Sequence, residues 1–158
     1  MNTKEHLLLD TNCLLILLVG LLDQDYLHRF TKTKERKFID TFEVLLGYYG
    51  MRNIVFLTNS YLLCELSHQT IEHKNFEEKY KKPLTELLSM LINQNKLIVN
   101  EANSLAILEN KSVFYMGFAD ISCVLYQSQI TLLTFDTDLF YESYKYPFIH
   151  QQHFPLGS

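Results

Sequence analysis

Proline and glycine are scarce in this chain: three prolines (Pro83, Pro147 and Pro155) and five glycines among 158 residues. They do not gather into a linker, and the sequence has no internal repeat or low-complexity tract. Residues 1–158 therefore read as a single domain, long enough to bury a real hydrophobic core. Cysteine is equally sparse. Three cysteines without a Cys-x-x-Cys pair do not make a secreted disulfide framework and suit a reducing compartment. An excess of positive charge is missing too. With 14 basic and 18 acidic residues the formal charge is −4, so no global field attracts a polyanion, and nucleic-acid binding would need a local basic patch. The apolar run from Cys13 to Leu22 is too short to span a bilayer. Glu5, Asp10 and the lack of a small-residue cleavage site argue against an export signal. The expectation is a cytoplasmic protein without membrane contact.

What is present is an ordinary globular composition, 47% apolar and 20% charged. Strand-like apolar runs fall at His6–Leu9, Ile54–Leu57, Ile130–Thr134 and Pro147–Ile149, with a weaker one at Leu97–Val99. Between them, Leu14–Leu22, Phe38/Phe42/Leu45/Leu46 and Leu84/Leu87/Leu88/Leu91/Ile92 have helical spacing. Short strands alternating with helices predict an α/β fold, a parallel sheet covered on both faces. Such sheets bind ligands beyond the carboxyl ends of their strands.

Asp10 stands at such an end, between "LLL" and "TNCLLILL". A lone ionised carboxylate in apolar surroundings is costly unless it is paired, hydrogen-bonded or bound to a metal. Three further segments place acids in similar settings. Glu65 lies in "VFLTNSYLLCELSHQT", on a helix that Asn59 or Ser60 could cap, with Leu62, Leu63 and Leu66 toward the core. Tyr61, Glu65, His68 and Gln69 share the neighbouring stripe. Asp120 follows Gly117 in "YMGFADISCVLYQ", and Asp136 and Asp138 follow the Ile130–Thr134 strand in "ITLLTFDTDLF". Taken alone, each is more simply a first-turn helix acid or a turn residue. Their convergence on one sheet edge gives them a joint meaning. Clustered carboxylates either protonate or gather a cation. Oxygen-only donors suit Mg²⁺ or Mn²⁺, which can activate water for attack at phosphorus.

The ordered set "LLLDTN", "LLCEL", "GFADIS" and "LLTFDTDLF", from Leu7 to about Phe140, resembles the PIN-domain nucleases, small metal-dependent ribonucleases that include many bacterial toxins of toxin–antitoxin pairs. The resemblance implies a three-layer α/β/α sandwich. It implies that Asp10, Glu65, Asp120 and Asp136 form an acidic quartet that binds Mg²⁺ or Mn²⁺, with Asp138 as the other candidate in the last motif. Asn12 and Thr134 would be the polar supports that orient the carboxylates. RNA, single-stranded or structured, would be the substrate, and the resemblance leaves room for an antitoxin-like protein partner and a homodimer. The segment between Asp10 and Glu65 is longer than in compact toxins of the family, which bears on the toxin role and not on the quartet.

Two rival readings accompany it. A catalytically silent PIN-like module would bind RNA or a protein without cutting, although such modules usually lose an acid and none is missing here. An aspartate-dependent phosphatase of the dehalogenase-like type needs a second aspartate two residues after the first, where this chain has Asn12. Cys13, Cys64 and Cys123 all lie near the acids; a mixed thiolate–carboxylate zinc site competes with the simpler reading of buried core cysteines. His68 reads as a solvated histidine sooner than as a base beside Glu65. The basic runs His28–Lys37 and His73–Lys82 are either phosphate contacts or solvated faces.

Overall fold

Strands β1 (Glu5–Leu9), β2 (Ile54–Asn59), β3 (Leu97–Asn100), β4 (Ile130–Thr134) and β5 (Ile149–His153) form one sheet in the order β3-β2-β1-β4-β5. Every neighbouring pair is parallel, with Leu8 opposite both Leu57 and Leu132. This computed structural model describes residues 3–30, 35–126, 128–146 and 149–153. The expected strands at the first, second, third and weaker positions are present within two residues of their expected ends. The last one differs. It runs over Ile149–His153, and Pro147 and Phe148 of the expected span lie outside the described residues.

Parallel strands need crossovers, and the chain supplies helices for them. These are α1 (Thr11–Leu22), α2 (Gln24–Phe30), α3 (Glu35–Tyr49), α4 (Ser60–Gln69), α5 (Glu78–Asn93), α6 (Ser104–Glu109), α7 (Val113–Ser122) and α8 (Thr137–Ser143). Alternation along the strands sorts the core into two layers. Leu7, Leu9, Phe56 and Leu133 point to one face, where α1, α2, α3 and α5 pack with Leu14, Leu17, Tyr26, Phe42 and Leu84. Leu8, Leu57 and Leu132 point to the other, with Val124, which follows α7, and Leu139 of α8. The result is the three-layer α/β/α sandwich. Helix α4 belongs to both layers: Leu62 packs into one core and Leu66 into the other. It therefore lies across the carboxyl edge of the sheet, touching α1 on one side and α7 on the other.

Strand order also fixes where a ligand belongs. From β1 the sheet grows through β2 to β3 in one direction and through β4 to β5 in the other. The crevice between outgoing connections lies beyond the carboxyl ends of β1 and β4.

The longer segment after Asp10 is locked to α5. Asp23 caps α2 by accepting from the backbone N–H of Asp25 at 2.9 Å, and its other oxygen accepts from the Tyr80 hydroxyl. Tyr26 stacks on Tyr80 with ring centroids 4.1 Å apart and accepts from the Glu77 N–H at 3.0 Å. Among the described residues no helix is long and apolar enough to cross a membrane.

At Gly20, α1 packs directly against the ring of Phe42 from α3. A Cβ there would meet the ring of Phe42 at 2.2 Å. Gly20→Ala gains up to about 1 kcal/mol of helix propensity, but overpacking a filled core costs about 1–3 kcal/mol. At 2.2 Å the clash wins, and urea unfolding of Gly20→Ala is expected to show a lower midpoint with an unchanged slope. An equal or higher midpoint would mean that the Phe42 ring moves aside freely.

Candidate active site at the carboxyl edge of the sheet

Asp10 follows β1 directly and is 5% exposed. Its backbone is extended at the N-cap of α1, and its carboxylate is used on both oxygens. Oδ1 accepts from the Cys13 N–H at 2.9 Å. Oδ2 accepts from the Thr134 hydroxyl and from the Phe135 N–H at 3.2 Å. The Cys13 thiol donates as well. Burial still dominates and raises the pKa of Asp10 above the ordinary aspartate value, although these hydrogen bonds all pull the other way.

Thr134 lies between two of these acids. Its hydroxyl donates to Asp10 and accepts from the Asp136 N–H at 2.9 Å, so one side chain fixes both acids. Asn12 does not share this role. It is exposed in the first turn of α1, and no hydrogen bond joins it to a carboxylate among the described residues. Asp136 is the N-cap of α8, its Oδ1 accepting from the Leu139 N–H at 3.0 Å. Asp138 is an exposed acid of that helix's first turn.

Glu65 is half-buried in the middle of α4. The start of α4 is set by Asn59, at the end of β2, whose Oδ1 accepts from the N–H groups of Tyr61 and Leu62 at 3.0 and 3.1 Å. Asn59 is 1% exposed, and its Nδ2 donates to Ser122 Oγ at 3.0 Å, across to α7. The Tyr126 hydroxyl also reaches the side chains of Asn59 and Asn100, and burial pushes its pKa up to about 12. Asp120 is half-buried in α7, three residues after Gly117. Gly117 has φ 84° and ψ 173°, a left-handed-side conformation that breaks α7 in two and that side chains rarely adopt. The break sets the direction of the short turn that carries Asp120.

Asp120 registers the whole set. Its pKa is raised to about 7, first by burial and then by the charges of Asp136, Glu65, Asp10 and Asp138 in that order. The buried Cys123 thiol is likewise pushed well up, by burial and then by Asp10, Asp120 and Glu65. The structure therefore brings acids from four separate segments within electrostatic reach of one point. It does not bring them to one ion: among the described residues, no three His, Cys, Asp or Glu side chains are grouped closely enough to hold a metal. The donors fit a hard divalent cation in chemistry and charge, and the cluster is open. Beside it lies a cleft of about 310 Å³ lined by Asn100, Glu101, Ser122, Leu125 and Tyr126, at the small end of ligand pockets.

The expected basic patches divide. Of the first run, residues 31–34 and the side chains of Glu35–Lys37 lie outside the described residues. In the second, Lys79, Lys81 and Lys82 pair with Glu77, Glu78 and Glu86, a solvated and largely neutralised face. Cys13 and Cys123 are buried core residues as the simpler reading has it, and Cys64 is exposed. The residues that sequence reading missed are Ser122, Tyr126 and the second role of Asn59. Asn59 before a serine signals a cap, but its partner is 63 residues away. Compared with known proteins, the chain matches no family model, no curated protein and no solved structure.

The raised pKa of Asp120 has a definite sign. The folded state holds a proton that the unfolded chain, with an ordinary aspartate value, has already lost, so stability falls as pH rises from about 4 to about 7. Asp120→Asn removes that loss. Discounting for partial solvent exposure, the variant is expected to be more stable than the parent at pH 8 by on the order of 2 kcal/mol, and about equal near pH 4. Urea midpoints at the two pH values check this; a variant less stable at pH 8 would mean that Asp120 is not repelled by its neighbours.

Proposed function

We propose that this chain is a metal-dependent ribonuclease of PIN-like type, cutting RNA phosphodiester bonds at the cluster of Asp10, Glu65, Asp120 and Asp136, with Asp138 at its margin. The observation that carries the reading is the charge environment of Asp120, which four other carboxylates penalise when it ionises. A fold that merely needed stability would not maintain that repulsion at the sheet edge where ligands bind. Three of those four, Asp10, Glu65 and Asp136, make with Asp120 the quartet that the motif resemblance selects, and Asp138 is its other candidate.

Mg²⁺ or Mn²⁺ held by these carboxylates would neutralise the cluster and make a water acidic enough to attack phosphorus near neutral pH. The protein's own part is positioning. Asp10 is immobilised by its donors from Cys13, Thr134 and Phe135, and so provides a fixed carboxylate. Thr134 sets Asp136 relative to it. Asn59, through Ser122, holds the helix of Glu65 against the helix of Asp120. Asp120 has to be ionised to act as a ligand, so its proton competes with the cation, and metal affinity should weaken below about pH 7. The openness of the cluster favours one rival, a module that binds RNA or protein without cutting it; the same assay separates the two.

The test is cleavage of RNA with Mn²⁺ or Mg²⁺ against an EDTA control. Asp10→Asn and Asp120→Asn are each expected to lose orders of magnitude, and the double variant little more, because the acids act as one unit. Undiminished cleavage by Asp120→Asn would sink the assignment, and no cleavage by the parent would favour the silent module.

Asp136 and Asp138 separate in the same assay. Asparagine caps helices about as well as aspartate, so Asp136→Asn should keep α8 and still lose cleavage and Mn²⁺ binding. Asp138→Asn should keep both, giving up only a dipole contribution below about 1 kcal/mol. The reverse outcome in paired Mn²⁺ titrations would move the ligand to Asp138.

A further inference from the structure

On the outer face of α4, one turn apart, Cys64 and His68 present a sulfur and an imidazole nitrogen to each other, with Sγ 4.0 Å from Nε2. The other ring nitrogen is taken. His68 Nδ1 lies 2.6 Å from Glu72 Oε2, and Glu72 is itself held by the Ser67 hydroxyl at 3.0 Å and by its own N–H to the Ser67 carbonyl at 3.0 Å. We infer that Cys64 and His68 bind one thiophilic divalent cation of the zinc class, with Glu72 orienting the imidazole.

The geometry is close to what such an ion needs. Sulfur at about 2.3 Å and nitrogen at about 2.0 Å from a tetrahedral ion stand about 3.5 Å apart, so the pair must close by about half an ångström. Both side chains are on the surface, so the adjustment displaces no packed neighbour. A carboxylate on the far nitrogen is the usual companion of a metal-bound histidine: it fixes the tautomer with Nε2 as the lone-pair donor and raises its basicity. The chain's other thiols cannot compete, since Cys13 and Cys123 are fully buried. Two protein donors leave the remaining positions to solvent, which makes this an open surface site; among the described residues no third His, Cys, Asp or Glu donor joins them. Its soft donors also set it apart from the acid cluster, whose oxygens select hard ions. The inference is independent of the proposed nuclease activity.

Cobalt(II) tests it, because zinc itself is colourless. The parent protein, in excess Mg²⁺ to occupy the acids, is titrated with Co²⁺ and the thiolate-to-cobalt absorption in the near ultraviolet is followed. One equivalent should develop the band, and Zn²⁺ should bleach it. Cys64→Ser and His68→Ala should each abolish it, with melting temperatures near the parent's since both positions are exposed. Glu72→Gln should weaken cobalt affinity 10–100-fold. No band in the parent, or one that survives His68→Ala, overturns the site; full affinity in Glu72→Gln overturns the role of the carboxylate.

Discussion

The carboxylate of Asp10 is where the two central strands and the first helix are tied together. Its N–H donates to the Leu133 carbonyl at 3.1 Å, continuing the β1–β4 ladder past the end of the strand. Its carbonyl accepts from the Leu14 N–H at 3.0 Å and starts α1. Its side chain caps that helix and binds Thr134 and Phe135 at the end of β4. An apolar residue here would leave the N–H groups of Cys13 and Phe135 without their acceptors in the protein interior, a cost of about 1–3 kcal/mol each. This is the physical answer to why one acid stands between two leucine-rich runs: the corner at the switch point needs an acceptor on both sides, and a carboxylate has enough lone pairs to serve them.

A second consequence is electrostatic. Asp10 and Asp136 each cap a helix, α1 and α8, and so each is offset by the positive end of a helix dipole and by backbone N–H donors. Asp120 caps nothing. It lies within the short turn after Gly117, near the end of α7 rather than at its start, and receives the field of the others without a compensating donor among the causes of its shift. Burial and then the repulsion of its neighbours therefore fall on one residue without an offsetting donor, and its pKa reaches about 7.

Much of this was legible in the chain. Strand β4 was read with its true ends, and the covered parallel sheet followed from apolar strands alternating with helical spacing, because both signals are local. The approach of Asp10 to Thr134, a contact across 124 residues, is suggested only through the family resemblance. What local patterns do not carry is long-range pairing among polar residues. Asn59 looks like any cap, and only the fold reveals Ser122 and Tyr126 beyond it. The cap of α8 belongs to Asp136 and not to Asp138, since the strand ends at Thr134 and the turn is two residues shorter than a cap at Asp138 would require. The cysteines share one composition argument and two fates, because helix α4 turns Leu62 and Leu66 inward and Cys64 out.

The lock between Asn59 and Ser122 also decides how the edge can respond to a ligand. Asp10 has both oxygens committed, and Asp136 commits one to its helix, so the β1 and β4 side of the crevice is rigid. Helices α4 and α7 are pinned to each other at the ends nearest the sheet by a buried hydrogen bond, beside an edge-on contact between Tyr61 and Phe118. The turn after Gly117 carries both Asp120 and the pinned Ser122, so Asp120 shares that anchor, while Glu65 stands in the middle of α4, away from its cap. The cluster is thus two acids tied through their own carboxylates, Asp10 and Asp136, facing two that are placed by their helices, Glu65 and Asp120.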